Sequence, residues 1–164
     1  MAGIKCRCGN ILSNVDCPSP NIIQIFSSKE VNNFINKNPE MLLIDFETAF
    51  DRKYKYWYCD VCERVYEVQN IPLGRVRRSY IINNDLNKIS FDIASKLQQI
   101  YVFFSTELYE YEEKNVSGTV KDFFQTHPQK HLFYISEDEK YIYAFNNLTK
   151  EQGFIYTLDY IYTE

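Results

Sequence analysis

The sequence predicts an α+β protein built from two tandem βαβββ-like repeats with mainly antiparallel sheet, the first bearing a zinc-ribbon-like hairpin. Three observations predict it. The chain matches itself without a gap at one constant offset, several short runs alternate apolar and polar residues, and two close cysteine pairs, Cys6/Cys8 and Cys59/Cys62, stand in the first half. A period of two is the mark of a strand with one buried face.

The self-match sets positions 28–70 against 105–147. Ser28, Glu30, Lys37, Asn38, Asp45, Phe46, Lys53, Tyr66 and Asn70 recur as Ser105, Glu107, Lys114, Asn115, Asp122, Phe123, Lys130, Tyr143 and Asn147. Cap residues and apolar positions coincide as well, which argues for a tandem duplication. Each repeat opens with a short apolar strand, 22–26 or 100–104. A serine follows that can cap a helix, and a glutamate just beyond it sits where the helix dipole favours an acid. Val31, Phe34 and Ile35, like Leu108 and Tyr111, fall on one helical face. Asn38 and Asn115 mark the helix ends, with Pro39 reinforcing the first. The segments at Asp45-Phe46 and Asp122-Phe123 read as neither helix nor strand. Strand patterns then occupy 54–58, 64–69 and 75–82, matched by 131–135, 140–145 and 154–162. The repeats span 1–82 and 83–164, joined by 83–99. With five Gly, five Pro and no linker, they are expected to pack as one globule.

Composition narrows the class. The 164 residues are 45% hydrophobic, enough for a packed core, and 14 Tyr with 12 Phe favour strands having one wet face. No apolar run approaches the roughly 18 residues of a membrane span, and the start lacks the apolar region of a signal peptide. A cytoplasmic location, where thiols stay reduced, is therefore the default expectation. The net charge of −4 is uneven. Positions 1–82 carry 11 basic and 9 acidic side chains, against 7 and 13 in positions 83–164. The second half suits a basic partner better than a nucleic acid.

Four thiolates in two close pairs match a tetrahedral zinc site, in which neighbouring sulfurs lie roughly 3.8 Å apart. Cys59 and Cys62 meet this at a hairpin turn. Cys6 and Cys8 would stand about 6–7 Å apart on a straight strand, so the chain must bend there, and Gly9 permits it. Cys17 reads as a spare loop thiol, or as a substitute ligand for Cys6 or Cys8. The second repeat has Ser136 and Glu139 where the first has Cys59 and Cys62. A hairpin that forms there without metal makes the zinc structural, and four protein thiolates leave no open position for a reacting water.

Other clusters carry less. His127 and His131 flank Pro128, which opposes a helical pair, and read as loop and strand-start residues. Arg75, Arg77 and Arg78 are the densest basic patch, either a solvated strand edge or a phosphate contact. Glu107, Glu110, Glu112 and Glu113 cluster on the second long helix, and Glu137, Asp138 and Glu139 on the later hairpin. With the tyrosines of that half they suggest a docking surface for a cationic protein. None of the sequence patterns of nucleotide-binding loops, hydrolase nucleophile elbows or metalloprotease helices is present.

The segment Lys5-Cys6-Arg7-Cys8-Gly9-Asn10, with Trp57-Tyr58-Cys59-Asp60-Val61-Cys62-Glu63-Arg64-Val65-Tyr66, resembles zinc-ribbon proteins over the part of the chain up to Asn70. More closely it resembles small bacterial proteins that begin K-C-x-C-G and carry a later W-x-C-x-x-C hairpin. In size and character the chain is similar to immunity proteins of bacterial toxin systems. With the acidic, tyrosine-rich second half and the missing catalytic patterns, the expected function is a non-enzymatic interaction protein that binds a basic partner, the resemblance suggesting a toxin that it neutralises. The alternative is a zinc-ribbon nucleic-acid-binding or regulatory protein using Arg75, Arg77 and Arg78.

Overall fold

The alternating runs form the expected strands, but their long-range pairing gives a different fold. The computed structural model describes residues 3–50, 54–69 and 74–163. Lys53 and Asn70, two positions of the self-match, lie outside them. A small hairpin of β1 (Gly3–Lys5) and β2 (Ile11–Ser13) comes first. Then follow β3 (Ile22–Ser27), α1 (Ser28–Lys37), α2 (Leu43–Ala49), β4 (Tyr54–Tyr58), β5 (Val65–Gln69) and β6 (Arg75–Ile82). After α3 (Phe91–Ala94) come β7 (Gln98–Phe104), α4 (Ser105–Lys114), α5 (Val120–Thr126), β8 (His131–Ile135), β9 (Tyr141–Asn146) and β10 (Gln152–Ile161).

Strands β3 to β10 close into one antiparallel barrel in the order β10-β6-β5-β4-β3-β7-β8-β9. This corrects the expected α+β arrangement of two βαβββ units. Each half is βααβββ, because the unassigned segments at Asp45-Phe46 and Asp122-Phe123 are the short helices α2 and α5. Neither half keeps a sheet to itself. β3 pairs with β7, and β6 pairs with β10, so two seams join the halves into a ring. Alternation reveals that a strand has a buried face; it does not reveal the strand's neighbours.

The halves meet through matching contacts. The bounds of α1 and α4, of α2 and α5, and of β4 and β8 all keep the offset that sets Ser28 against Ser105. The Leu43 amide donates to the Gly118 carbonyl and the Val120 amide to the Met41 carbonyl, each at 2.9 Å. The helix caps sit one residue earlier than expected. Ser27 caps α1 by accepting from the Glu30 amide, whereas at α4 the Glu107 carboxylate accepts from the Phe104 amide at 2.6 Å.

Inward side chains from all eight strands, among them Ile23, Tyr56, Val65, Tyr80, Ile100, Phe133, Ile142 and Leu158, form one apolar cluster inside the barrel. The outer wall has three covers. Helices α1, α2, α4 and α5 bury Phe26 and Phe103 over the β3–β7 seam. The β1–β2 hairpin buries Trp57, Tyr66 and Val68 with Ile4, Cys6 and Leu12. Leu86, Ile89, Phe91, Ala94 and Leu97 bury Tyr134, Tyr143 and Phe145. Among the described residues, no helix is long and apolar enough to cross a membrane.

Candidate metal centre

Two turns bring the cysteines together. After β1 the chain reverses through Cys6-Arg7-Cys8-Gly9: the Gly9 amide donates to the Cys6 carbonyl at 2.9 Å, and the Cys6 amide to the Asn10 carbonyl at 2.8 Å. Gly9 has φ of +96°, a left-handed conformation that glycine tolerates and that supplies the bend a CxC pair needs. Between β4 and β5, the Cys59 amide donates to the Arg64 carbonyl at 2.9 Å and the Glu63 amide to the Cys59 carbonyl at 2.8 Å. Here Glu63 takes the left-handed position, at φ +57°.

The β1–β2 hairpin lies on the outer face of β4 and β5, so the turns face each other. The four Sγ atoms of Cys6, Cys8, Cys59 and Cys62 all lie within 4.8 Å of one another. Cys6 Sγ is 3.4 Å from Cys62 Sγ, and Cys8 Sγ 3.6 Å from Cys59 Sγ. These are free thiols, not disulfides, at separations close to the roughly 3.8 Å edge of a zinc–sulfur tetrahedron. Cys17 is exposed and lies outside the cluster.

Polar partners hold the sulfurs. The Tyr66 hydroxyl donates to Cys6 Sγ at 3.2 Å and accepts from the Arg7 amide at 3.1 Å. Asn10 Nδ2 reaches Cys59 Sγ at 3.6 Å and Asp60 Oδ1 at 3.2 Å. Burial raises the Cys6 pKa, but the bonds from Tyr66 and the Cys8 amide outweigh it and bring it down to about 6. Burial, together with the neighbouring sulfurs, pushes Cys62 up to about 12. Burial and its bond to Cys6 push Tyr66 up to about 12, so it stays protonated as a donor. Metal binding at such a cluster requires the thiols to be deprotonated, so a divalent cation would displace their protons.

An acid on the barrel wall clamps both turns. Asp159 Oδ2 lies 3.2 Å from the Arg7 guanidinium and 3.3 Å from that of Arg64, and accepts from Ser79 Oγ at 3.3 Å. It occupies the irregularity where the register of β10 on β6 shifts. Sequence reasoning missed Asp159, Asn10 and the donor role of Tyr66. Only Tyr66, outward-facing on the strand that follows Cys62, left a readable signal.

The structure separates the acidic residues expected to form one surface. Glu110 and Glu113 are exposed on α4. Glu107 caps its own helix and lies 3.7 Å from His127 Nε2. Glu137, Asp138 and Glu139 lie in the β8–β9 turn, at the far end of β7 from α4, because Gln98 at the start of β7 pairs with Ile135. Asp138 accepts from Ser136 Oγ at 2.7 Å and from the Lys140 amide at 3.1 Å. This turn forms without cysteines, the Ser136 amide donating to the Tyr141 carbonyl at 3.0 Å as Cys59 does to Arg64.

The basic patch is likewise divided. Arg78 is the register partner of Glu67, whose buried side chain accepts from the Tyr56 hydroxyl at 3.3 Å, and the Arg78 guanidinium pairs with Glu139. Arg75 and Arg77 stand on β6, with the ladder shifting register between Val76 and Arg78. The histidines are apart in role: His127 stacks on Phe123, with centroids 4.7 Å apart, and His131 meets Phe154 edge-on at 5.0 Å.

Fold and site together define an eight-stranded barrel with a four-cysteine cluster laid on its outer wall. The chain belongs to the family described as domain of unknown function DUF8617, which matches residues 2–84 and so takes in all four cysteines. That description names neither a zinc ribbon nor an immunity protein. No curated protein and no solved structure matches the chain.

Proposed function

We propose that the four cysteines hold one structural zinc ion and that the protein works by binding a basic protein partner, not by catalysis. The observation that carries the metal reading is the convergence of four Sγ atoms, from two turns far apart in the sequence, within 4.8 Å. Soft thiolates in a compact four-sulfur set favour zinc over the oxygen-seeking cations. All four positions are then filled by protein, so the ion braces the hairpin and offers no water for chemistry. Protein purified with intact thiols should carry one zinc per chain by elemental analysis. A chain that folds equally well without metal after denaturation with chelator would overturn the reading.

The partner reading rests on α4 and the start of α2. Glu112, Glu113 and Tyr109 lie beside the exposed apolar side chains of Ile44 and Val116, which are 64% and 81% exposed. An acidic rim around apolar anchors suits a basic protein, and neutralising a basic toxin is the role that fits the size and resemblance. Reversing Glu110 and Glu113 to Lys should weaken a captured partner at least tenfold; unchanged affinity would reject this face. Of the three arginines that the nucleic-acid alternative invokes, Arg78 is engaged by Glu139.

A further inference from the structure

The barrel has two ends, and their interiors are filled differently. Tyr56, Glu67, Arg78 and Tyr80 occupy the end nearer the β8–β9 turn, where Glu139 reaches Arg78. The positions that match them toward the cysteine end are Phe133, Ala144, Phe154 and Tyr156. Phe133 and Ala144 correspond to Tyr56 and Glu67 in the self-match, and Phe154 pairs with Ala144 as Arg78 does with Glu67. An alanine where the other end holds a glutamate, and a phenylalanine where it holds an arginine, leave the cysteine end both emptier and more apolar.

A cavity of about 370 Å³ results. Its walls are aliphatic and aromatic side chains of the interior cluster, Val102 and Ile142 among them, and its rim includes the exposed residues Glu63 and Asn84. Protein interiors are normally close-packed, so an apolar void of this size inside a barrel calls for an occupant. Eight strands enclose room for one small ligand. The volume is more than twice that of the ~150 Å³ apolar cavity that accommodates benzene, which suits two fused rings or a chain of about ten carbons.

The rim selects the head group. Among the described residues, Glu63 is the one acid lining the cavity, and no lysine or arginine lines it. His131 is held neutral by burial and by nearby Lys130, which push its pKa down. Glu63 follows Cys62 directly, and its amide is fixed to the Cys59 carbonyl, so the cysteine turn sets where this carboxylate stands.

We propose that the barrel interior at the cysteine end binds one small amphiphile, an apolar body of ring or alkyl type with a cationic amine head held at Glu63. The proposal needs the barrel and the cavity but not the partner reading, nor the identity of the metal.

The test uses the full chain and N-phenyl-1-naphthylamine, an apolar fluorescent probe. Saturable binding at one probe per chain is expected, with decylamine displacing it at about tenfold lower concentration than decanoate, since one head is attracted and the other repelled. Val102→Phe should fill the cavity and weaken the probe at least tenfold. Glu63→Gln, on the exposed rim, should leave probe affinity intact and erase the preference for the amine. In the wild-type protein, decylamine should shift the methyl resonances of Val102 and Ile142, a readout independent of any variant. No saturable binding, or unmoved methyl resonances, would overturn the cavity assignment. An amine preference surviving in Glu63→Gln would overturn the head-group assignment.

Discussion

The two halves build nearly the same barrel wall and cover it by different means. Trp57, Tyr66 and Val68 on β4 and β5 correspond to Tyr134, Tyr143 and Phe145 on β8 and β9, and all six are buried. In the second half five apolar side chains, Leu86, Ile89, Phe91, Ala94 and Leu97, make the cover. In the first, two short strands contribute Ile4 and Leu12, and cysteines supply the rest. Where the apolar cover is thin, a metal cross-link can substitute for missing burial, as it does in small domains generally.

The strongest way to break that comparison is to treat the two matching turns alike. On the proposed metal reading, Cys59→Ser with Cys62→Ser should cost more than about 5 kcal/mol, because the cover would then lose a metal and its folding free energy together. Trp57, the only tryptophan and fully buried, reports it by a red-shifted emission. Ser136→Ala in the corresponding turn removes hydrogen bonds only and should cost about 1 kcal/mol in denaturant unfolding. Equal losses would dissolve the distinction.

A smaller effect is expected from the opposite cover. Phe91 meets Phe145 edge-on at 5.6 Å and Tyr134 at 6.2 Å. Phe91→Ala should cost about 2–3 kcal/mol while the metal binding proposed for the four cysteines stays unchanged. Loss of metal in that variant would show the two covers to be coupled.

The mildest change sharpens the contrast between the barrel ends. Burial raises the pKa of Glu67, although Arg78 opposes it. A carboxyl whose pKa is higher folded than unfolded prefers the protonated form in the fold, so its ionisation at neutral pH is destabilising. Glu67→Gln should therefore raise the melting temperature at pH 7, with the gain fading as pH falls through the raised folded pKa toward the ordinary glutamate range and gone below it. A gain that persists in acid would place its origin elsewhere.

The cysteine constellation is legible in the sequence because a tetrahedral ligand set constrains spacing locally: Cys59 and Cys62 span one turn, and Gly9 marks the bend between Cys8 and Asn10. The barrel is not legible. The pairing of Tyr80 with Leu158 joins strands from opposite halves of the chain, and nothing in either strand's alternation specifies the other. Helices α2 and α5, of 7 residues each, are too short to show a helical period. Segment 83–99 reads as a connection because its apolar residues are spaced irregularly, yet they form a cover. Arg78 reads as surface because arginine usually is; the shift of register beside it turns the side chain toward Glu67.

Ring closure also imposes an order on the making of the molecule. The second seam needs β10, which follows every other strand of the ring in the chain. Until it emerges, β6 presents an open edge, the kind of strand that recruits wrong partners. All four cysteines precede that point, the last of them at Cys62. The metal proposed for these cysteines would be captured while the ring is still an open ribbon, fixing the lid on β4 and β5 before the staves behind it are complete. Metal supply during synthesis would then govern how much chain reaches the closed ring, apart from how stable that ring is once formed.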